Sequence, residues 1–292
     1  MEQEVREGVL ICAFGGARDE EGVEGFLEDL LGKRPPRELV ERVRQKYRRI
    51  GSSPLYSTLS EIARRLEGIL KGKKVFWGVA FGRPSLEEVI EEVKEEGIEE
   101  IWVINLSPYR SPYTYFSTRA EEALMRKGIE PVRLPPWHDH PSYCSLWAKK
   151  LKEGWEKLGG RAPVVFIAHS LREDIAQGSP YLQDLQGTIR GIRRVLGDFP
   201  SRLAFVGAPP SADWVGPRAE DALLELKEEG YRRAIVLPIG FVCDHLETLY
   251  DLDVELMGWA KGKRLELLRL PCLNASPDFL SFLKGLIEGG GS

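Results

Sequence analysis

Short runs of consecutive apolar residues alternate, along almost the whole chain, with stretches in which apolar residues recur every third or fourth position. The runs cover 9–14, 75–81, 101–106, 132–134, 164–168, 203–206, 234–237 and 265–270, and most are rich in Val, Ile, Phe and Leu. An unbroken apolar run marks a strand covered on both faces, which is the condition of a parallel sheet. Helical periodicity fills the intervals at 23–31, 36–48, 59–70, 85–96, 118–127, 143–158, 184–196 and 219–229. A chain that repeats strand, helix, strand has few options: right-handed βαβ units in an α/β layer architecture.

The chain also echoes itself. Residues 88–109 read EVIEEVKEEGIEEIWVINLSPY and residues 221–241 read DALLELKEEGYRRAIVLPIGF. Each is an amphipathic helix, then Lys-Glu-Glu-Gly, then a β-run, then a Pro-containing loop. Lys94 aligns with Lys227 and Gly97 with Gly230 at the same displacement, and the glycine suits the left-handed position that ends a helix. A weaker echo links 10–17 with 165–172. All αβ units share features, so coincidence stays open beside duplication. Duplication predicts two similar lobes of four parallel strands each, residues 1–140 and 141–292. Ligands of such sheets sit at the carboxyl ends of the strands. If the lobes face each other, the loops after Phe14, Phe81, Leu106, Ala168, Val206 and Leu237 line a cleft.

Composition narrows the function. The 292 residues carry 41 Lys+Arg against 45 Asp+Glu, and this slight acidity argues against nucleic acid as a partner. No stretch reaches the length of an apolar membrane span, and the first residues lack the apolar core of a secretion signal. The four cysteines (Cys12, Cys144, Cys243 and Cys272) contain no C-x-x-C, which excludes a zinc ribbon and suits a reducing cytoplasm.

Three places at strand ends carry chemistry. Gly15-Gly16 follows the first strand and lets backbone approach a ligand, or simply makes a tight turn; it is not a G-x-G-x-x-G site. His169 follows 164–168 directly. It is either a base or metal ligand, or a histidine bonded to its own loop. After 234–237 comes Pro-Ile-Gly-Phe-Val-Cys-Asp-His-Leu-Glu-Thr-Leu-Tyr-Asp. A helix starting near Asp244 puts Asp244, Glu247, Asp251 and Glu255 on one face, with Leu246, Leu249, Tyr250, Val254 and Met257 as the apolar side. Such a stripe is either a solvated face or a cation route. Like charges four apart repel, and no Lys or Arg occurs within 239–260 to relieve them. Oxygen and imidazole donors without thiolate suit a transient divalent ion, and Cys243 reads as packing. The aromatic segment 107–116, with Tyr109, Tyr113, Tyr115 and Phe116, follows a strand and suits a flat conjugated ligand.

Taken in order, these pieces resemble the ferrochelatase family over about residues 8–288. The carriers are Gly15-Gly16, the Tyr-x-x-Ile-Gly-x-Ser-Pro-Leu segment from Tyr47 to Leu55, Leu106 to Tyr109, Ala-His-Ser-Leu at 168–171 and Ser-Pro-Tyr at 179–181. Trp214 with Pro217, the 238–250 segment and 271–279 complete the set. The resemblance implies two Rossmann-like lobes of the class II chelatase type, with the metal-handling residues in the second. It implies insertion of Fe²⁺ into a porphyrin during haem biosynthesis, with walls that hold the macrocycle non-planar. It makes His169 and Glu247 catalytic, and His169, Glu247, Asp251 and Glu255 the metal path. It assigns porphyrin contacts to Phe14, Lys33, Arg34, Ser53, Tyr109, Phe116 and Trp214. Iron is then a substrate, and neither a resident cofactor nor a [2Fe–2S] cluster is expected.

Several positions depart from the family pattern. Phe14 stands where many relatives carry tyrosine, and Leu30-Leu31 replace a basic pair, with Lys33 and Arg34 close behind. Ala80-Phe81 replaces a basic site near Arg83, and 205–213 replaces a Gln-Ser-x-x-Gly stretch. These changes bear on which porphyrin is taken. The segments at 116–120 and 137–141 lean toward the short bacterial branch, hence toward coproporphyrin III, with protoporphyrin IX as the alternative. A cytoplasmic monomer is expected, with peripheral membrane contact through Phe26, Leu30 and Leu31 left open. The rival readings are a cobalt or nickel chelatase of a sirohydrochlorin-type ring and a non-catalytic tetrapyrrole carrier.

Overall fold

A computed structural model describes residues 6–209 and 213–289. They fall into two compact units. The first holds the chain up to Pro108, Pro112–Pro136 and the segment from Ala275 onward, and the second holds Tyr109–Ser111 and Trp137–Asn274.

The first unit runs β1 (Glu7–Gly15), α1 (Val23–Leu31), α2 (Arg37–Ile50), α3 (Leu55–Ile69), β2 (Lys73–Phe81), α4 (Leu86–Glu95), β3 (Glu100–Asn105), α5 (Ser117–Arg126) and β4 (Glu130–Arg133). Its strands form a parallel sheet in the order β2-β1-β3-β4. Val9, Leu10, Ile11 and Cys12 of central β1 are wholly buried, so both faces of the strand are covered and the run is apolar at every position. Leu10 and Cys12 pack with Leu86, Val89, Ile90 and Val93 of α4 in one core. A capping box starts α4: Ser85 Oγ accepts from Glu88 N at 3.2 Å, and the Glu88 carboxylate accepts from Ser85 N at 2.7 Å.

The second unit runs α6 (Pro141–Lys157), β5 (Val164–His169), α7 (Glu173–Gln177), α8 (Tyr181–Leu196), β6 (Ser201–Val206), α9 (Ala219–Glu228), β7 (Arg233–Leu237), a π-helix (Glu247–Leu256), α10 (Met257–Gly262) and β8 (Glu266–Arg269). Its strands are also parallel, in the order β6-β5-β7-β8. The two sheets thus repeat one topology, the two-lobe α/β architecture expected from the alternation and the echo. Gly97 (φ 70°) and Gly230 (φ 96°), the paired glycines of the echo, both adopt the left-handed conformation that ends a helix before a strand.

The division of the chain differs from 1–140 and 141–292. The last helix, α11 (Pro277–Gly289), buries Phe279, Leu280, Phe282, Leu283, Leu286 and Ile287 and packs with α3 of the first unit. The cause is the apolar stripe of α3, where Leu59, Ile62 and Leu66 are fully buried and need a covering helix. Arg65 of α3 donates to the Ala275 carbonyl at 2.7 Å, pinning the returning chain. In the other direction, Tyr109–Ser111 joins the second unit, where the Arg110 guanidinium holds buried Asp184 through two hydrogen bonds of 2.9 and 2.7 Å.

Candidate active site

His169 is the last residue of β5. The five residues before it are fully buried, and the ladder sets its Cα opposite Val206 of β6. Where the sheet ends, the imidazole emerges. Its Nδ1–H donates to the Ser170 carbonyl at 2.5 Å, so Nε2 is left to face the Glu247 carboxylate, 3.4 Å from Oε1. The backbone is braced as well: Tyr181 OH donates to the His169 carbonyl at 2.9 Å, and Ser170 Oγ donates to the Val215 carbonyl at 2.7 Å.

Glu247 opens the π-helix that follows the loop after β7, and Asp244 shapes that loop. Asp244 is buried and accepts hydrogen bonds from Arg269 Nη1 (2.7 Å), Asn274 Nδ2 (2.7 Å) and Cys272 N (3.3 Å). Burial pushes its pKa up, but Asn274, Arg269 and Cys272 outweigh burial and hold it below the ordinary range. The expectation that Asp244 opens a helix and shares its acidic face is therefore corrected. It is a structural anchor, because β8 brings Arg269 to it. Cys243 and Cys272 are buried with raised thiol pKa values, so neither offers a thiolate.

His245, which the sequence reading did not single out, also faces Glu247. Its Nδ1–H donates to the Cys243 carbonyl at 3.1 Å and its Nε2 lies 3.6 Å from Glu247 Oε2. Both imidazoles use one device, a backbone carbonyl on Nδ1 that aims Nε2 at the same carboxylate. The signal available was its place two residues before Glu247.

The electrostatics follow from this bracket. Burial by itself lowers the pKa of His169, but the Glu247 carboxylate, the Ser170 carbonyl and Asp251 outweigh it, and His169 is pushed up from 6.5 to about 9. Burial raises Glu247, but His169 and His245 outweigh that and hold the carboxyl well below its usual 4.5. At neutral pH the two form an imidazolium–carboxylate pair, with the side chains 33% and 32% exposed.

Glu247, Asp251 and Glu255 lie on the π-helix and not on an α-helix. Its i→i+5 hydrogen bonds make a wider turn than that of an α-helix. Glu247 is half-buried, Asp251 buried and Glu255 exposed. Asp253, off this line, is held by Arg269 Nε at 2.7 Å. Among the described residues no three His, Cys, Asp or Glu side chains converge into a metal cage.

Other expected contacts are placed differently. Tyr109 is fully buried in the second unit. Its hydroxyl donates to the Ile239 carbonyl at 2.9 Å and its ring meets Tyr181 edge-on, so it supports the β7 loop and does not face a ligand. Trp214 is half-buried in a strand-like bridge with Arg172, beside the loop that follows His169. Residues 210–212 of the substituted 205–213 stretch lie outside the described residues.

In the first unit, Phe14 is 37% exposed and its ring lies 5.1 Å from Phe81 and 5.8 Å from Phe116. Phe116 is itself buried and backs the cluster. Ser53 uses its hydroxyl to accept from Leu55 N at 3.3 Å, in the turn that starts α3. Lys33 and Arg34 are exposed after α1. Arg18, which sequence reasoning also passed over, is exposed with its guanidinium 4.3 Å over the Tyr56 ring.

Two parallel four-stranded sheets of one strand order, with a histidine–carboxylate pair at a strand end, define a chelatase-type α/β protein. SirB from Bacillus subtilis, solved with Fe³⁺, matches with a TM-score of 0.62 at 11% identity, covering 99% of this chain and 96% of that one. The sirohydrochlorin chelatase SirB from B. subtilis subspecies spizizenii, in complex with cobalt, matches with a TM-score of 0.59 at 11% identity, covering 98% of this chain and 96% of that one. At such identity the likeness is one of fold. The ferrochelatase family model matches residues 6–290, and the chain belongs to the ferrochelatase family. The ferrochelatase of Herpetosiphon aurantiacus is 30% identical over 97% of this chain and 99% of its own length. The coproporphyrin III ferrochelatase of Geobacillus sp. is 31% identical over 96% of each.

Proposed function

We propose that this chain inserts ferrous iron into a porphyrin, releasing two protons, as a step of haem biosynthesis. Coproporphyrin III is the preferred ring, ahead of protoporphyrin IX. The observation that carries the reading is a single carboxylate, Glu247, bracketed by two imidazole Nε2 atoms at 3.4 and 3.6 Å, in a chain of the ferrochelatase family. The full-length match to a coproporphyrin III ferrochelatase supports the choice of ring.

Metallation has to remove two pyrrole protons and admit a dehydrated cation. A pyrrole N–H is a weak acid, so a positioned base is required. Before iron arrives His169 holds a proton, because Glu247 stabilises the imidazolium. Ferrous iron arriving beside Glu247 takes over that negative charge. The imidazolium then loses its partner, burial favours the neutral ring, and the proton leaves. Neutral Nε2 is now free to accept from a pyrrole N–H, and His245 offers a second acceptor on the same carboxylate. Asp251 and Glu255 hand the cation inward from the exposed end of the line. The iron stays ferrous and no electron is transferred, so the reading needs neither a resident cofactor nor a [2Fe–2S] cluster.

In the first unit, the exposed face of Phe14 is the apolar surface we assign to the flat ring, and Arg18, Lys33 and Arg34 are the cations we assign to its carboxylates. Every group invoked comes from one copy of the chain, which supports a monomer, and we assign the reaction to the cytoplasm. Among the described residues no helix is long and apolar enough to cross a membrane.

The test is His169→Ala in an anaerobic spectral assay offering Fe²⁺ and Co²⁺ with coproporphyrin III, protoporphyrin IX and sirohydrochlorin. The expected result is iron insertion into coproporphyrin III by the native chain and its loss in the variant, with the fold retained. Unchanged turnover in the variant refutes the assignment of His169. Preference for cobalt and sirohydrochlorin refutes the assignment of the substrates.

A further inference from the structure

We propose that Gly207 is a positioning residue for His169, and that its missing side chain keeps one face of the imidazole open at Nε2. The inference rests on the reading of His169 as the proton acceptor.

Gly207 follows β6 directly, one residue beyond Val206, the register partner of His169. A Cβ built at Gly207 would lie 2.6 Å from His169 Nε2 and 3.0 Å from both Cδ2 and Cε1. The distances to the two flanking carbons are equal and scarcely longer than that to the nitrogen. The missing atom therefore falls over the face of the ring at Nε2, not in its plane ahead of it. The ring has little freedom to give way. Its Nδ1–H is held by the Ser170 carbonyl and its Nε2 faces Glu247, so a tilt that relieves the clash disturbs both contacts.

Gly207 is exposed, so core packing does not demand a small residue at this position. Two other demands remain: a φ of +80° and the imidazole. The molecule supplies the control that separates them. Gly197, which ends α8, has φ +75° and nothing within 4 Å of its would-be Cβ. Alanine there meets a positive-φ backbone penalty, at ψ −175°, and no neighbour.

The experiment compares Gly207→Ala, Gly197→Ala, His169→Ala and the His169→Ala/Gly207→Ala double variant. Each is measured for melting temperature, porphyrin affinity by fluorescence, and anaerobic iron insertion. Gly207→Ala is expected to lower kcat about 10- to 100-fold, as small misplacements of reacting groups do, with porphyrin affinity changed less than about threefold. Gly197→Ala keeps the native kcat. The drop in melting temperature caused by Gly207→Ala shrinks once His169→Ala has removed the ring, because the two sites are in contact. If Gly207→Ala does not fold, Gly207→Asn keeps the added Cβ while tolerating φ above zero. A native kcat in a folded Gly207 variant, or the same temperature drop in both backgrounds, overturns the proposal. Turnover surviving in His169→Ala sinks the proton-acceptor reading instead, and the melting-temperature cycle still tests the contact.

Discussion

At the residue scale, the site turns on which partner holds charge against burial. His169 is pushed up to about 9 because Glu247 faces it, and the sign of the pH effect follows. The stabilisation from the charged imidazole is whole below the unfolded value of 6.5 and is lost as the pH rises through about 9. The Glu247 share is present above its ordinary 4.5 and is lost as the pH falls through its depressed value. In NMR titration of the metal-free protein, the His169 ring should stay protonated through neutral pH. In Glu247→Gln, which removes the largest of the influences that raise it, its midpoint should fall. A midpoint unmoved by that substitution would remove the electrostatic account of the site. Adding ferrous iron to the native protein should release protons, since cation and proton compete for one carboxylate.

At the element scale, one π-helix carries all three acidic residues of the expected metal path. The spacing of Glu247, Asp251 and Glu255 is plain in the sequence, and residues four apart share one face of a helix. The repulsion expected for a segment without Lys or Arg is met from outside it. Arg269 of β8, only 10% exposed at its side chain, ties Asp244 before the helix and Asp253 within it. The proposed cation route follows Glu247, Asp251 and Glu255. Asp251→Asn and Glu255→Gln are each expected to raise the KM for Fe²⁺ about fivefold, close to the ~1 kcal/mol of one ion contact in water, and to leave the KM for porphyrin unchanged. The effect should fade with added salt. An unchanged iron KM at low salt would make the stripe an ordinary solvated face.

At the scale of the whole molecule, membership of a unit does not follow chain order. Six buried apolar side chains of α11 come from the far end of the sequence and cover α3. Burying one fully contributes about 1.5–3 kcal/mol, so the first unit depends on residues added last. Deleting the chain from Ala275 onward is expected to strip hydrogen-exchange protection from α3 and β1, while β5 of the second unit keeps its own. Equal loss in both sheets would contradict the assignment of α11 to the first unit.

The sequence by itself determined the strands, their parallel arrangement and the repeated topology. A strand buried on both faces must be apolar at every position, and Val9 to Cys12 and Val164 to Ala168 record that directly. It also exposed His169 and Glu247, because each stands at the edge of an element whose period stops there. Tertiary structure alone decided the rest. Asp244 became an anchor when β8 delivered Arg269, Tyr109 was drawn into the core by the Ile239 carbonyl, and His245 and Gly207 acquired meaning only beside Glu247 and His169. Hydrophobic periodicity reports how a residue faces its own element, whereas these contacts join residues that only the folded chain brings within hydrogen-bond reach.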